Sequence, residues 1–105
     1  MIKVRIKDNT IIVSGHANFA DYGKDIVCAS VSSIVITSIN ACLRIDSESI
    51  DYKEETDKLT ILVNSDKDDI KKIIENMICM LEELAETYNK NIKIVKEEDR
   101  WSSWS

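Results

Sequence analysis

One cysteine and the single histidine of this 105-residue chain are spaced so that they could act together as a nucleophile and its base. His16 and Cys28 lie near the two ends of the segment SGHANFADYGKDIVCAS (residues 14–30), which also contains both glycines of the chain. A cysteine attacks only as the thiolate, and a nearby imidazole can accept its proton. A loop that returns on itself would bring the two side chains within hydrogen-bond distance.

The neighbouring residues suit such a site, although each also has a simpler explanation. Gly15 permits an unusual backbone angle or a close approach where a strand stops, and Gly23 permits a sharp turn into a helix. Asp25 can either cap that helix or orient the histidine. Ser32 lies one helical turn after the cysteine, where it could support the site by a hydrogen bond or pack as a small residue.

The simpler explanations also apply to the cysteines themselves. A cysteine in a helix is usually a small apolar packing residue, and we expect Cys42 and Cys79 to be core residues. The three cysteines are odd in number and form no CxxC pair, which argues against a disulfide framework or a zinc site. A metal site built from His16, Cys28 and an aspartate has too few ligands, so we expect no metal and no cofactor.

Hydrophobic periodicity predicts seven elements in the order ββαββαβ. Alternation predicts strands over residues 2–7 and up to Ser14-Gly15, joined by a turn at Asp8-Asn9. Helices are predicted over about 25–44 and from a cap at Ser65, with Asp66, Asp68 and Asp69 in the first turn of the second helix. The remaining strands are predicted near residues 50–54 and 59–63 and over NIKIV (91–95).

The two predicted helices differ in how they should be buried. The second is apolar along one stripe, whereas the first is apolar or small all round and should be covered on more than one side. We therefore expect an α+β fold: a single layered domain (residues 1–96) with a small sheet packed on two helices, the first helix central. A second subunit would cover part of that helix. The tail, residues 97–105, is expected to be frayed.

Composition narrows the function further. A net charge of −5 argues against a general binder of nucleic acid or anionic membrane. Residues 26–43 carry no charge, yet six serine, threonine and asparagine residues interrupt them, so a buried soluble helix is favoured over a membrane span. The N-terminus has the alternation of a strand, not of a signal peptide. We expect a cytoplasmic protein.

The segment GHANFADYGKDIVCASVS resembles the signature of the ribosomal-processing cysteine proteases, the Prp family. The resemblance consists of a Gly-His pair, a loop, Gly-x-Asp-Ile-Val-Cys-Ala and a serine four residues after the cysteine. It extends through the NIKIV strand, while Ser30 stands where the family often has glycine and the WSSWS tail is not part of the pattern. The matching residues are Gly15, His16, Gly23, Asp25, Cys28 and Ser32.

That resemblance implies a specific activity. Family members remove an N-terminal extension from a large-subunit ribosomal protein, cutting after a hydrophobic segment with paired phenylalanines. Cys28 would be the nucleophile and His16 the general base and then acid, with Asp25 and Ser32 in supporting roles. The family forms homodimers, and no direct nucleic-acid or membrane partner is implied. A non-catalytic ribosome-associated binding module or another thiol-dependent hydrolase remains an alternative.

Overall fold

A computed structural model describes residues 1–15 and 26–97, and these residues form one sheet with two long helices. The element order is ββαββαβ, as the sequence predicts. The strands are β1 (Ile2–Lys7), β2 (Thr10–Ser14), β3 (Ile50–Glu54), β4 (Lys58–Val63) and β5 (Ile92–Glu97), and the helices are α1 (Ile26–Ile45) and α2 (Asp68–Thr87).

The five strands form a single mixed sheet in the order β3-β4-β2-β1-β5. β1 and β2 are an antiparallel hairpin whose turn residue Asp8 has a positive φ of 52°. β2 pairs antiparallel with β4, and β4 with β3, whereas β5 lies parallel to β1 at the opposite edge. The parallel pair is possible because β1 and β5 are separated by nearly the whole chain, which supplies the long crossover that parallel strands need.

Within the described residues, one face of the sheet is covered by the helices and the other is open. On β1 the buried residues Ile2, Val4 and Ile6 alternate with three exposed cations. The buried residues join apolar side chains of both helices in one core cluster. Successive side chains of a strand point to opposite faces, so the charged set defines an open face that runs across all five strands. The fold is a two-layer α+β domain.

Helix α2 begins later than the sequence predicts. Its first residue is Asp68 and its N-cap is Lys67, so the expected cap at Ser65 is wrong and Asp66 precedes the helix. The Ser65 hydroxyl instead accepts the Lys67 N–H at 3.1 Å, which forms a local turn two residues long. Lys67 is also held by Asp46 (Nζ···Oδ2 3.0 Å), so this segment is tied to the loop after α1 before the helix starts.

Helix α1 contacts α2 on one side and the sheet beneath it. Its buried residues form a stripe of Val27, Val31, Val35, Ser38, Ile39 and Cys42. The helix is long and apolar enough to cross a membrane by length and composition, but core helices of soluble proteins pass the same test. Outside the stripe, Ile26 and Ile36 are 70% and 54% exposed in the single chain. Coverage of this side by a second subunit stays a prediction.

Strand β5 ends one residue beyond the predicted domain boundary at residue 96, and that boundary stays a prediction. β5 continues to Glu97, which the sequence assigns to the tail. Residues 98–105 lie outside the described residues, so the expected fraying stays a prediction.

Candidate active site

Cys28, the candidate nucleophile, is the third residue of α1 as described. Its side chain is half-buried and packs against the core cluster. The first turn of a helix has N–H groups without intrahelical partners and the positive end of the helix dipole, and both favour a thiolate. Helix α1 therefore places this sulfur in a setting that suits a nucleophile.

The preceding strand, β2, ends at Ser14 and is followed by Gly15, whose conformation only glycine adopts readily. Its φ is +86°, and a Cβ built at this position would overlap the carbonyl oxygen of Met1. The Gly15 N–H donates to the Asp57 carbonyl (N···O 3.2 Å), which holds the β3–β4 turn beside the end of β2. The chain thus leaves the sheet at a fixed point, directly before His16. The sequence-based reason for Gly15, an unusual backbone angle at the strand end, is confirmed.

Three of the predicted site residues lie outside the described residues. They are His16, Gly23 and Asp25, all within residues 16–25. The approach of His16 to the thiol, the turn at Gly23 and the two roles considered for Asp25 therefore stay predictions.

Ser32 lies one turn after Cys28, and its hydroxyl oxygen is buried without a hydrogen-bond partner among the described residues. Another buried serine of α1 differs: Ser38 donates to the carbonyl of Ile34 at 2.8 Å. A buried hydroxyl without a partner costs free energy, so its presence calls for a reason. Ser32 also faces a groove, which supplies one.

The groove runs between α1 and the β3–β4 edge of the sheet and has a volume of about 200 Å³. Ser32, at one end of the groove, follows Cys28 by four positions in the helix, which is about 6 Å along the axis. The walls are mainly apolar, with Val13, Val35 and Tyr52 among them, and Glu54, Glu55 and Lys58 form a polar rim. Such a groove suits an extended apolar peptide segment better than a charged one.

The groove was not foreseen from the sequence. Tyr52 is 56% exposed, and it lines the groove together with Ile36 of α1. The signal that was available is the absence of charge from the first helix, which indicated that its second side would be covered. Which strands lie opposite that side depends on the strand order, and the sequence does not give that order.

The other two cysteines are poorly placed as nucleophiles. Cys42 is fully buried, as predicted, and burial together with Asp69 raises the pKa of its thiol to about 11. Cys79 is half-exposed, so the expectation of a core residue is wrong for it. It lies at the edge of the buried stripe of α2, 3.8 Å from Glu83 Oε1, and desolvation with Glu83 and Glu82 raises its pKa. Raised thiol pKa values disfavour the reactive thiolate.

The described residues contain no group of three or more histidine, cysteine, aspartate and glutamate side chains arranged to hold a metal ion. None of the three cysteines forms a disulfide.

Comparison with known proteins gives a consistent result. The family model described as Cysteine protease Prp matches residues 1–93. The ribosomal processing cysteine protease Prp of Staphylococcus aureus is 34% identical over 91 residues, covering 84% of this chain and 86% of the relative. The Bacillus subtilis protein of the same name is 29% identical over 89 residues, with coverage of 78% and 80%. A crystal structure of S. aureus Prp with a covalently linked product peptide superposes with a TM-score of 0.82 at 31% identity, covering 92% of this chain and all of that one.

Proposed function

This chain belongs to the Prp family of ribosomal-processing cysteine proteases, and we propose that it removes the N-terminal extension of a large-subunit ribosomal protein precursor in the cytoplasm. The observation that carries the proposal is the position of Cys28 in the first turn of α1, one turn from an apolar groove. The S. aureus relative was solved with a covalently linked product peptide, as expected of covalent catalysis.

In the proposed mechanism Cys28 is the nucleophile and His16 the general base. The imidazole takes the thiol proton as the sulfur attacks the scissile carbonyl, forming a C–S bond. The C–N bond then breaks, and the imidazolium gives its proton to the departing amine. Water, deprotonated by the same imidazole, attacks the thioester carbonyl, and the C–S bond breaks. The imidazolium then protonates the sulfur, and the released carboxylic acid gives its proton to solvent. No metal or cofactor takes part.

Three further parts of the site support this sequence of steps. Backbone N–H groups at the start of α1, that of Cys28 among them, are the proposed donors to the oxyanion of each tetrahedral intermediate. Asp25 is proposed to orient the imidazole or to cap the helix. The Ser32 hydroxyl, which has no hydrogen-bond partner in residues 1–15 and 26–97, is proposed to gain one when a peptide lies in the groove.

The groove is the proposed site for the hydrophobic segment that precedes the cleavage point. Its apolar walls would exclude water from large side chains such as phenylalanine, and each such burial stabilises by about 1.5–3 kcal/mol. A Prp crystal structure from S. aureus contains a substrate peptide, which supports a peptide ligand for this family.

A homodimer is part of the proposal. The exposed apolar side chains of α1, in particular Ile26, lie in a wide surface depression together with Met80 and Leu84 of α2. Exposed apolar surface of this kind favours association. The expected second subunit would cover the side of α1 that the core does not use.

The deciding experiment follows the mass of the precursor after incubation with the protein. Wild type should shorten the precursor by one N-terminal fragment, whereas Cys28→Ala and His16→Ala should leave it intact, a loss of at least about 1,000-fold. Cys79→Ala is the matched control and should cleave like wild type. An intact precursor with wild type, or cleavage by Cys28→Ala, would overturn the proposal. Tight binding of the precursor without cleavage would favour the alternative of a non-catalytic binding module.

A further inference from the structure

The open face of the sheet is strongly basic, although the chain as a whole is acidic. Strand register places six cations and two carboxylates on it, a net charge of +4 in a chain whose net charge is −5. The cations are Lys3, Arg5, Lys7, Lys53, Lys58 and Lys93. A face that only needed to be solvated could carry either sign, and this chain has more acidic than basic residues. The concentration of positive charge on this face therefore needs another reason.

The two carboxylates are confined to one end of the open face. Side chains paired across the strands form three rows, and the row containing Lys7 ends in Asp51 and Glu97. Within the paired strands the other two rows contain five cations and no acid, and Glu55, the residue directly after β3, lies 3.7 Å from Lys58 at the edge of one of these rows. One of them runs Lys58–Ser14–Lys3–Lys93, and it borders the end of β2 from which the chain leads to His16.

Few of these cations form ion pairs with the part of the chain that the structure describes. Arg5 lies 4.0 Å from Glu97, and Lys58 lies 3.7 Å from Glu55, both as exposed pairs that contribute little. Lys3, Lys7, Lys53 and Lys93 have no ion pair with any of the described residues. Most of the positive charge is thus available to an external partner.

The geometry of the face suits a regular series of phosphates. Strands are spaced by about 4.8 Å, and alternate residues along a strand by about 6.7 Å, so the acid-free rows form a strip about 19 Å long. Its register positions carry no aromatic residue, so it lacks the stacking platforms that bind unpaired bases. Contacts to a sugar-phosphate backbone need only fixed cations.

We propose that the open face binds the phosphate backbone of double-helical RNA. The choice of RNA over another polyanion rests on the proposed function, because a precursor of a ribosomal protein meets its protease near ribosomal RNA. The whole-chain net charge predicts no nucleic-acid partner, but it averages over two oppositely charged sides. Binding here would hold the enzyme near its substrate without contributing to the chemical step.

The test measures binding and cleavage separately. Fluorescence anisotropy with a labelled 16-base-pair RNA duplex is read at several salt concentrations between 50 and 200 mM. Wild type should bind with an affinity that falls steeply with salt, since each phosphate contact contributes about 0.9 to the logarithmic slope. The triple variant Lys3→Gln/Arg5→Gln/Lys93→Gln should bind at least tenfold more weakly and lose about 2–3 from that slope. It should cleave a short peptide substrate at the wild-type rate.

The matched control removes three cations from the helical side, Lys71→Gln/Lys72→Gln/Lys90→Gln, and should change RNA affinity less than twofold. Equal losses in both triple variants, or no salt-dependent RNA binding by wild type, would overturn the proposal. So would binding of phosphatidylserine vesicles or polyglutamate as tightly as the duplex. Because Cys28→Ala should bind RNA like wild type, failure of cleavage and failure of RNA binding are distinguishable.

Discussion

The two helices are equally long and lie in the same layer, but they differ in what their residues are needed for. Both have 20 residues. In α2 most features are explained by packing: Ile70, Ile74 and Leu81 are fully buried, and charged residues dominate the opposite side, where Met80 is the exposed apolar exception. In α1 a buried stripe also packs into the core. However, isoleucines of this helix stay exposed, and the buried Ser32 hydroxyl has no hydrogen-bond partner among the described residues.

The difference separates structural residues from functional ones. A helix whose exposed side is charged is fully accounted for by the core on one side and water on the other. The exposed isoleucines of α1 contribute little to the core of the single chain, and the buried Ser32 hydroxyl has no hydrogen bond among the described residues to offset the cost of its burial. These residues, together with Cys28, are the ones that a peptide substrate or a second subunit would use.

The largest effect expected from this comparison is on the free energy of unfolding. It is tested by substituting one isoleucine in each helix. Ile74→Ala in α2 should lower the free energy of unfolding by about 2–5 kcal/mol, because it opens a cavity in a fully buried site. Ile36→Ala in α1 should change it by less than about 0.5 kcal/mol, since that side chain is 54% exposed. Urea denaturation followed by circular dichroism measures both.

For activity we expect the reverse: the substitution in α1 should have the larger effect and the substitution in α2 the smaller one. Ile36 lines the groove, so Ile36→Ala should lower kcat/KM for a phenylalanine-containing peptide about tenfold. Ile74→Ala should retain the wild-type kcat/KM per folded molecule. If Ile36→Ala unfolds as readily as Ile74→Ala, the exposed side of α1 belongs to the core and the comparison fails.

A smaller effect on the free energy of unfolding is expected at alkaline pH, and it is tested with one cysteine from each helix. The pKa of the Cys42 thiol rises from 9.0 to about 11 on folding, chiefly through burial, so the folded state holds this proton more tightly than the unfolded state. The contribution of this pKa difference to stability is fully present below pH 9 and is lost as the pH rises through 11. The free energy of unfolding of wild type should therefore fall by up to about 2 kcal/mol over this pH range, and that of Cys42→Ala should not show this fall.

The measurement is the difference in unfolding free energy between wild type and Cys42→Ala at pH 7.5 and at pH 10.5. The difference should shrink as the pH rises. Cys79→Ala, at the half-exposed position of α2, should follow the wild-type pH profile more closely. A constant difference across this range would mean that Cys42 does not titrate with a raised pKa in the folded state.

The sequence predicts the elements of this fold better than their arrangement. Alternation on β1 and the apolar stripe of α2 are local patterns, so their types and order are confirmed. The start of α2 was misplaced because Ser65 bonds to Lys67, and Lys67 to Asp46, a contact between residues distant in sequence. The strand order, and with it the groove and the basic open face, depends on pairings that no local pattern encodes.

The sequence predicts some features of the candidate site and not others. Gly15 and Cys28 have the backbone angle and the helix position that their sequence context indicated. The unpartnered Ser32 hydroxyl was not predictable, because the sequence favoured neither a supporting role nor simple packing. His16 and Asp25 lie outside the described residues, and their roles depend on the experiments above.

The smallest effect on stability, and the sharpest division between the helices, is expected at Ser32. Ser32→Ala removes a buried hydroxyl that has no partner among the described residues, so it should leave stability unchanged or raise it by up to about 1 kcal/mol. Ser38→Ala should instead destabilise by about 1 kcal/mol, because the Ser38 hydroxyl donates to Ile34. If the Ser32 hydroxyl bonds to the bound peptide, Ser32→Ala should lower kcat/KM about tenfold, and Ser38→Ala should not. A destabilised but fully active Ser32→Ala would assign this residue to packing, and α1 would then differ from α2 only through its exposed isoleucines and Cys28.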